Sequence, residues 1–469
     1  MADTPFDRIW QQHVIKAYED DRALIHIDRH FAQESTSQRA FDGLRQAGLP
    51  VRRPDLTLGT IDHGVSTQPG RTLETYAPRR DTNLAMQRNC GEFGVRLFSI
   101  DDPRHGIVHV VGPHLGFGLP GCTYVCGDSH TASCGGLGAW AWGIGTTEVM
   151  QVFATQALVI RKPRTLRAEF HGTPGQGIYA KDMILALIGR YGVDAGVGHV
   201  VQYGGPAIRA LPIEARLTIC NMSIEFGARG GFIAADDTTF EYLAGRPMAP
   251  KGEMLDQAVT AWRSLFDAPE ARYDKVIDLD CSALKPQITW GNSPQDVIAI
   301  DALVPDPSSF TDPDRRSMAV RALGYMDLTP GTPIAGTPIE IAFIGSCTNG
   351  RLSDLEAAAG VVRGRRVAPG VRGLVVPGAA HVKAAAEAAG LDRVFLAAGF
   401  EWREAGCSMC VGAGGDTVAP GQRSISTTNR NFEGRQGPAS RTHLASPAMV
   451  AAAAVTGAIT DVRPLLART

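Results

Sequence analysis

The feature that most constrains the fold is an alternation, from residue 57 onward, of short apolar runs with helix-length segments. Short apolar runs suit buried strands, and they predict strands over residues 106–111, 123–126, 217–221, 339–344 and 373–376. Apolar residues three or four apart indicate helices, here over residues 148–161, 180–190, 252–265, 352–362 and 379–389. Regular alternation of this kind predicts an α/β architecture.

The length and the proline distribution predict several domains. At roughly 150 residues per domain, a chain of 469 residues is expected to form more than one core. A dense series of prolines predicts an extended connection and a domain boundary between residues 301 and 338, and a weaker boundary is expected at residues 162–175. We therefore predict domains over residues 1–165, 166–300 and 301–469.

The charge balance argues against two classes of partner. With 46 basic and 48 acidic residues, the formal net charge is -2, without the basic excess that drives binding to nucleic acids or anionic membranes. No run approaches the ~18 apolar residues that suggest a membrane span, and the N-terminus has no signal-peptide pattern. We expect no nucleic-acid or membrane partner, and a cytoplasmic location.

Three cysteines have the spacing of metal ligands. Cys347 follows an apolar strand, and Cys407 and Cys410 form a Cys-x-x-Cys pair on a later loop, a spacing that lets two thiolates bind one metal centre. Structural zinc sites and electron-transfer clusters normally have four protein ligands, so three would leave an open position. The alternative is that the pair consists of small buried residues or forms a redox couple.

Histidines beside carboxylates suggest an acid–base site. Asp62 precedes His63, Asp128 lies two residues before His130, and His109 comes after the apolar residues Ile107 and Val108, at the end of another predicted strand. A neighbouring carboxylate can fix the tautomer of an imidazole for proton transfer. Each group alone fits a structural role better, but three such histidines in one half of a chain with only 12 strengthen the catalytic interpretation.

A polar loop near the C-terminus carries two arginines suited to carboxylates. Arg430 and Arg435 lie five residues apart, and guanidinium groups bind carboxylates with two parallel hydrogen bonds. A solvated basic loop is the alternative. Residues 135–145 are rich in glycine, but they lack a full G-x-G-x-x-G at a strand–helix turn, and no G-x-x-x-x-G-K-[ST] occurs. Nucleotide binding is therefore not predicted.

These motifs, taken in order, resemble the aconitase superfamily over nearly the whole chain. They are GDSHT, CNMSIE, IGSCTN, GCSMC and NRNFEGR. Within that superfamily, IDHGVSTQ, RNFEGRQG and RTHLASPAMVAAAAVTG resemble the large subunits of bacterial isopropylmalate isomerases. The resemblance implies three aconitase-like α/β/α domains around an iron–sulfur cluster, without the swivelling fourth domain of full-length aconitases.

The resemblance implies a [4Fe-4S] cluster held by Cys347, Cys407 and Cys410, with one iron that no cysteine ligates. That iron would act as a Lewis acid on the substrate hydroxyl. Three histidine–carboxylate pairs are also implied. His63 with Asp62 would protonate the departing hydroxyl, and two pairs would complete the hydrogen-bond network: His130 with Asp128, and His109 with Glu225. Polar groups that match substrate-binding positions are Gln38, Ser129, Asn221, Asn429, Arg430 and Arg435.

The resemblance also implies a partner and a substrate class. In full-length aconitases the swivelling domain carries the serine that removes a carbon-bound proton. This chain ends at Thr469 without a counterpart, so we expect a separate small subunit of that type, forming a heterodimer. The expected reaction is the isomerisation of 2-isopropylmalate and 3-isopropylmalate, small dicarboxylic acids of leucine biosynthesis, by dehydration and rehydration.

Departures from the pattern usual in isopropylmalate isomerases leave the substrate open. They are Cys134, Gly136, Gly350 and residues 411–415. The same chemistry on methylmalate, dimethylmalate or a homocitrate-like acid is one alternative. The other is an RNA-binding regulator or sensor that carries the cluster, against which the near-zero net charge and the retained acid–base residues both count.

Overall fold

Helices and strands alternate along the chain, which a computed structural model describes over residues 3–466. The first two residues and the last three, including Thr469, lie outside the described residues. The strands are β1 (Val14–Ala17), β2 (Arg22–His26), β3 (Arg29–Gln33), β4 (Thr57–Thr60), β5 (Arg96–Phe98), β6 (Thr123–Cys126), β7 (Trp140–Gly143), β8 (Ala157–Arg161), β9 (Arg164–His171), β10 (His199–Gly204), β11 (Gly230–Ile233), β12 (Lys275–Asp280), β13 (Gln287–Thr289), β14 (Val297–Ala299), β15 (Ile341–Ile344), β16 (Arg372–Val375), β17 (Glu401–Trp402), β18 (Arg423–Ser426) and β19 (Arg441–Leu444). The α-helices are α1 (Pro5–His13), α2 (Glu34–Ala47), α3 (Arg80–Glu92), α4 (Val108–Leu115), α5 (Thr146–Thr155), α6 (Ala180–Tyr191), α7 (Pro206–Arg209), α8 (Ile213–Asn221), α9 (Asp237–Leu243), α10 (Glu253–Phe266), α11 (Pro313–Met326), α12 (Ser346–Asn349), α13 (Leu352–Val362), α14 (Ala380–Ala388), α15 (Leu391–Ala398) and α16 (Pro447–Thr456).

The described residues form two compact units. The first unit comprises residues 3–64, 77–173 and 194–280. Its five-stranded parallel sheet has the order β5-β4-β3-β6-β7, and the central Phe31 pairs with Leu58 on one side and Cys126 on the other. Because the carboxyl ends of parallel strands meet at one edge of a sheet, the residues that follow β3, β4 and β6 come together.

The first unit contains two further sheets. A four-stranded parallel sheet has the order β11-β10-β9-β12, and a three-stranded antiparallel sheet has the order β1-β2-β8. All six residues of β10 are buried, as the strands of a parallel sheet covered on both faces usually are.

The second unit comprises residues 65–76, 174–193 and 281–466. Its main sheet is parallel, with the order β17-β16-β15-β18-β19, and β13 and β14 form an antiparallel pair. All four residues of β15 are buried. The alanine-rich helix α16 packs against α13 and β15. The predicted α/β class is confirmed.

Two of the predicted strands are helices. Residues 106–111 enter α4, and residues 217–221 form the end of α8. Both helices are buried on nearly every side, so neither shows the polar face that would reveal a helical period. A short apolar run in a buried helix cannot be distinguished by periodicity from a buried strand.

Two further expectations were wrong in part. The helix predicted over residues 148–161 ends as α5 at Thr155, because Gln156 adopts a left-handed conformation (φ 59°), and β8 follows. The extended connection predicted between residues 301 and 338 contains the 14-residue helix α11. Pro313 begins that helix. The first N–H groups of a helix have no partner within it, so the missing N–H of proline costs no hydrogen bond there. The division into three domains, with its two boundaries, remains a prediction.

In the part of the chain that the structure describes, no helix combines the length and apolar character needed to cross a membrane.

Candidate active site

The acid–base residues of the first unit gather at the carboxyl edge of its five-stranded sheet. Glu34 follows β3, Asp62 and His63 follow β4, and Asp128 follows β6. These three strands are neighbours and run parallel. The sheet topology therefore brings together side chains that lie far apart in sequence.

His63 lies between two carboxylates. Its Nδ1 is 2.6 Å from Oδ1 of Asp62, and its Nε2 is 3.1 Å from Oδ2 of Asp128. Asp62 is fully buried, and its second oxygen accepts a hydrogen bond from the Val108 backbone N–H at 3.1 Å. A protonated imidazole donates from both nitrogens, so this arrangement favours the charged form of His63.

The two central groups have shifted pKa values of opposite direction. Burial alone would lower the pKa of His63, but the charge of Asp62 and hydrogen bonds to both carboxylates raise it well above its ordinary value. Burial alone would raise the pKa of Asp128, but the charge of His109 and hydrogen bonds from three histidines hold it well below. Near neutral pH, His63 therefore holds a proton and Asp128 is ionised.

The other two histidines also lie beside carboxylates, and their shortest side-chain contacts differ from the pairs that the resemblance implied. His109 Nε2 lies 2.6 Å from Asp128 Oδ1, and His130 Nε2 lies 2.9 Å from Glu225 Oε1. The implied contact of His130 with Asp128 is present, since His130 Nδ1 lies 3.7 Å from Asp128 Oδ1, whereas the pairing of His109 with Glu225 stays a prediction. His109 lies on α4 and not at a strand end. The shortest contact of His130 with Asp128 is through its backbone N–H, at 2.7 Å.

Glu34 is a site residue that the sequence analysis missed. Its buried carboxylate accepts hydrogen bonds from three consecutive backbone N–H groups, those of Asp62 (3.1 Å), His63 (2.8 Å) and Gly64 (2.5 Å). Burial and the charge of Asp62 raise the pKa of Glu34. Glu34 directly follows β3, but no strand was predicted there, so its position at a strand end could not be recognised.

Replacing Glu34 with Gln should lower the free energy of unfolding by about 1–3 kcal/mol, because the amide nitrogen cannot accept a backbone hydrogen bond and a buried donor loses its partner. Denaturant unfolding of the cluster-free chain measures the change. The matched control is Glu92→Gln, which removes an exposed carboxylate paired with Arg45 and should change stability little. Equal midpoints for the two variants would contradict the assignment of Glu34.

The predicted substrate-binding residues of the first unit differ in placement. Ser129 is half-buried, with its hydroxyl 3.4 Å from Nδ1 of His130, and Asn221 is buried and donates to Ser133 Oγ at 2.8 Å. Gln38 is exposed on α2, and among the described residues no hydrogen bond joins it to the acid–base group. The structure therefore brings Ser129 close to His130 but leaves Gln38 apart.

A close approach of backbones accounts for Gly136. A Cβ at this position would lie 2.7 Å from the backbone nitrogen of Leu217 in α8, and one at Gly135 would overlap the carbonyl oxygen of Gly231 in β11. The turn that carries His130 can approach α8 and β11 only without side chains here. Close packing of the backbones therefore explains why this chain has a glycine at position 136, where isopropylmalate isomerases usually have another residue.

The second unit brings the three candidate metal ligands to the edge of its parallel sheet. Cys347 lies in α12 after β15, and Cys407 and Cys410 lie in a turn after β17. The side-chain amide of Asn429, which follows β18, has its Nδ2 3.5 Å from Cys347 Sγ and its Oδ1 3.9 Å from Cys410 Sγ. Arg435 Nη2 lies 4.0 Å from Cys410 Sγ.

The two arginines lie on a loop that is held in place by a buried asparagine between them. Arg430 and Arg435 are half-buried, while Asn431 between them is buried and donates to the carbonyl oxygen of Gly291 at 2.7 Å. The Arg435 guanidinium also lies over the exposed ring of Phe432, 5.4 Å from its centroid. Such contacts hold the guanidinium groups in place while leaving them accessible to an anion.

The donor set fits the iron–sulfur cluster that the resemblance implies. All nine cysteines are free thiols, and Cys347, Cys407 and Cys410 are buried. Thiolate is the ligand that such clusters use, and hydrogen bonds to the sulfurs tune them. Asn429 can donate such a hydrogen bond to Cys347 through Nδ2, whereas its Oδ1 faces Cys410 as an acceptor.

Comparison with known proteins gives the family. The profile of the aconitase family (aconitate hydratase) matches residues 7–457. The 3-isopropylmalate dehydratase large subunit 1 of Bradyrhizobium diazoefficiens is 56% identical over 458 residues, which cover 98% of this chain and 96% of that protein. The crystal structure of the holo-form of Thermococcus kodakaraensis aconitase X covers 87% of this chain and 84% of its own at 12% identity, and its TM-score of 0.46 is too low to bear on the fold. The extent of the profile match and of the identity establishes that the chain belongs to the aconitase family.

Proposed function

We propose that this chain is the large subunit of a hydro-lyase that interconverts 2-isopropylmalate and 3-isopropylmalate by dehydration and rehydration, in leucine biosynthesis. The support is its 56% identity to a protein named 3-isopropylmalate dehydratase large subunit 1. The observation that carries the chemistry is His63, held between Asp62 and Asp128 with its pKa raised. A cytoplasmic location fits such a biosynthetic enzyme.

Membership of the aconitase family implies a [4Fe-4S] cluster, and we assign its ligands to Cys347, Cys407 and Cys410. When bound, the cluster supplies a Lewis-acidic iron without a cysteine ligand, which polarises the substrate hydroxyl. Three buried thiols, with Asn429 within reach of two of them, support the assignment. The protein's part is to hold the thiolates and to exclude water from them.

His63 is the proposed acid. Hydroxide is a poor leaving group until it is protonated, and His63 holds a proton near neutral pH. The hydrogen bond from Nδ1 to Asp62 (2.6 Å) is shorter than the contact of Nε2 with Asp128 (3.1 Å). Nε2 is therefore the nitrogen that can donate its proton to the substrate. Asp62 then keeps the ring oriented while the proton moves.

The remaining residues orient the substrate and the acid. Arg430 and Arg435 are suited to its two carboxylates, with Asn429, Ser129 and Asn221 as further polar contacts. His109 and His130 hold Asp128 and Glu225 in a fixed network. The exposed position of Gln38 makes it the least supported member of the proposed set.

We propose a small subunit of the swivelling-domain type as the partner. The relative's name identifies it as a large subunit, and dehydration needs a base as well as an acid. The small subunit would supply the base, and the two chains would form a heterodimer.

The test is turnover by the complex reconstituted with its cluster, followed through the ultraviolet absorbance of the alkene. The substrates are 2- and 3-isopropylmalate, methylmalate, dimethylmalate and homocitrate. The highest kcat/KM is expected for the isopropylmalates. A higher kcat/KM for another acid would identify that acid as the substrate. No turnover with any of these acids would overturn the proposed function.

Replacing His63 with Ala should reduce kcat by about a hundredfold or more, the usual loss for a positioned acid, while the iron content stays unchanged. The matched control is His13→Ala. His13 is also paired with a carboxylate, Asp28 at 2.7 Å, but it lies outside the acid–base group and should leave kcat unaltered. Near-normal turnover in folded His63→Ala protein would return His63 to a structural role.

A further inference from the structure

We propose that Asp416 is a positioning residue that fixes the turn between Cys407 and Cys410. Asp416 lies only 5% exposed in the second unit. Its Oδ2 accepts hydrogen bonds from the hydroxyls of Ser408 and Thr67, both at 2.8 Å. Its Oδ1 lies 3.1 Å from Nη2 of Arg403. Three different parts of the second unit therefore meet at one buried carboxylate.

The backbone of Ser408 explains why the turn needs to be held. Ser408 follows Cys407 directly, is fully buried, and has a φ of 47°. That left-handed conformation is unfavourable for a residue with a Cβ, and non-glycine residues keep it only where their surroundings impose it. The hydrogen bond from its hydroxyl to Asp416 is the contact that imposes it here.

The strained conformation matters because it sets the direction of two thiols. Within the turn, the Cys410 N–H donates to the Cys407 carbonyl at 3.0 Å, and the Gly412 N–H donates to the Ser408 carbonyl at 3.2 Å. A relaxed φ at Ser408 would rotate Cys407 relative to Cys410. Asp416 thereby acts on the thiols without touching them.

The carboxylate is itself anchored to the sheet. Arg403 directly follows β17 and is also buried. Thr67 is tied to the same segment, since its carbonyl oxygen accepts the Glu404 N–H at 2.8 Å. Arg403 has a second carboxylate partner in Glu401, at 2.8 Å, so the guanidinium keeps a partner when Asp416 is neutralised.

This inference rests on the proposed ligation of the cluster by the three cysteines, and it adds a residue that preorganises them. Residues that orient metal ligands through hydrogen bonds typically change metal affinity by about 10- to 100-fold when they are replaced. We therefore expect Asp416→Asn and Ser408→Ala to bind the cluster more weakly and to release it at least about tenfold faster.

The experiment compares wild type, Asp416→Asn, Ser408→Ala and a matched control after anaerobic reconstitution. Iron and sulfide per chain are measured, and then the rate at which the visible absorbance decays when a chelator is added. The control is Asp296→Asn. Asp296 is another buried carboxylate of the second unit, paired with Arg315 at 2.6 Å, and it should release the cluster at the wild-type rate.

The outcomes separate this inference from the proposed function. Faster release from both Asp416→Asn and Ser408→Ala, with the control unchanged, supports it. Wild-type release from both variants overturns it while leaving the cysteine ligation intact. A wild-type chain that takes up no cluster overturns the ligation and this inference together. If Asp416→Asn does not fold, Ser408→Ala decides, because it keeps the buried pair of Asp416 and Arg403.

Discussion

Replacing Cys407 with Ser should leave the chain without a stable cluster and the complex without measurable turnover. A serine hydroxyl is a far weaker iron ligand than a thiolate, and with three cysteines assigned to the cluster there is no spare ligand among them. Cys407 also begins the strained turn at Ser408. The expected result is loss of the visible absorbance and of iron in anaerobically purified protein.

The control for this variant is Cys281→Ser. Cys281 is fully buried in the same unit, so the substitution makes the same chemical change, and the protein should keep both cluster and turnover. If Cys407→Ser protein retained a full complement of iron and its activity, the ligand assignment would be wrong.

Much of the fold was predictable because its strands and helices are short, regular and separated by turn residues. The strand over residues 123–126 and the helix over residues 352–362 have the predicted bounds. Errors arose where burial removes the polar face, as in α4 and α8. They also arose where one left-handed residue, Gln156, separates a helix from a strand.

The contacts within the candidate site were harder to predict from the sequence than the strands and helices. The motifs pointed to the three histidines, but not to the carboxylate closest to each of the last two, which is Asp128 for His109 and Glu225 for His130. These contacts depend on the fold, which places His109 on α4. Glu34 and Asp416 were missed for a related reason. Each acts through contacts with residues distant in sequence, which a local sequence pattern does not reveal.

The chain alone, loaded with its cluster, should give no measurable dehydration, and turnover should appear when the candidate small subunit is added. Forming the alkene requires that a carbon-bound proton leaves as the protonated hydroxyl departs. The acid–base group of the first unit is suited to protonating the hydroxyl but not to removing the carbon-bound proton. The raised pKa of His63 keeps it protonated, and the lowered pKa of Asp128 makes that carboxylate a weak base.

Two measurements make this prediction decisive. Turnover of the cluster-loaded chain is followed alone and during titration with the small subunit, and activity should rise until the two chains are equimolar. A mixture with His63→Ala large subunit is the control, since it should assemble without reaching wild-type turnover. If the lone chain dehydrated the substrate at the full rate of the complex, the base would have to lie within this chain, and the role proposed for the partner would be wrong.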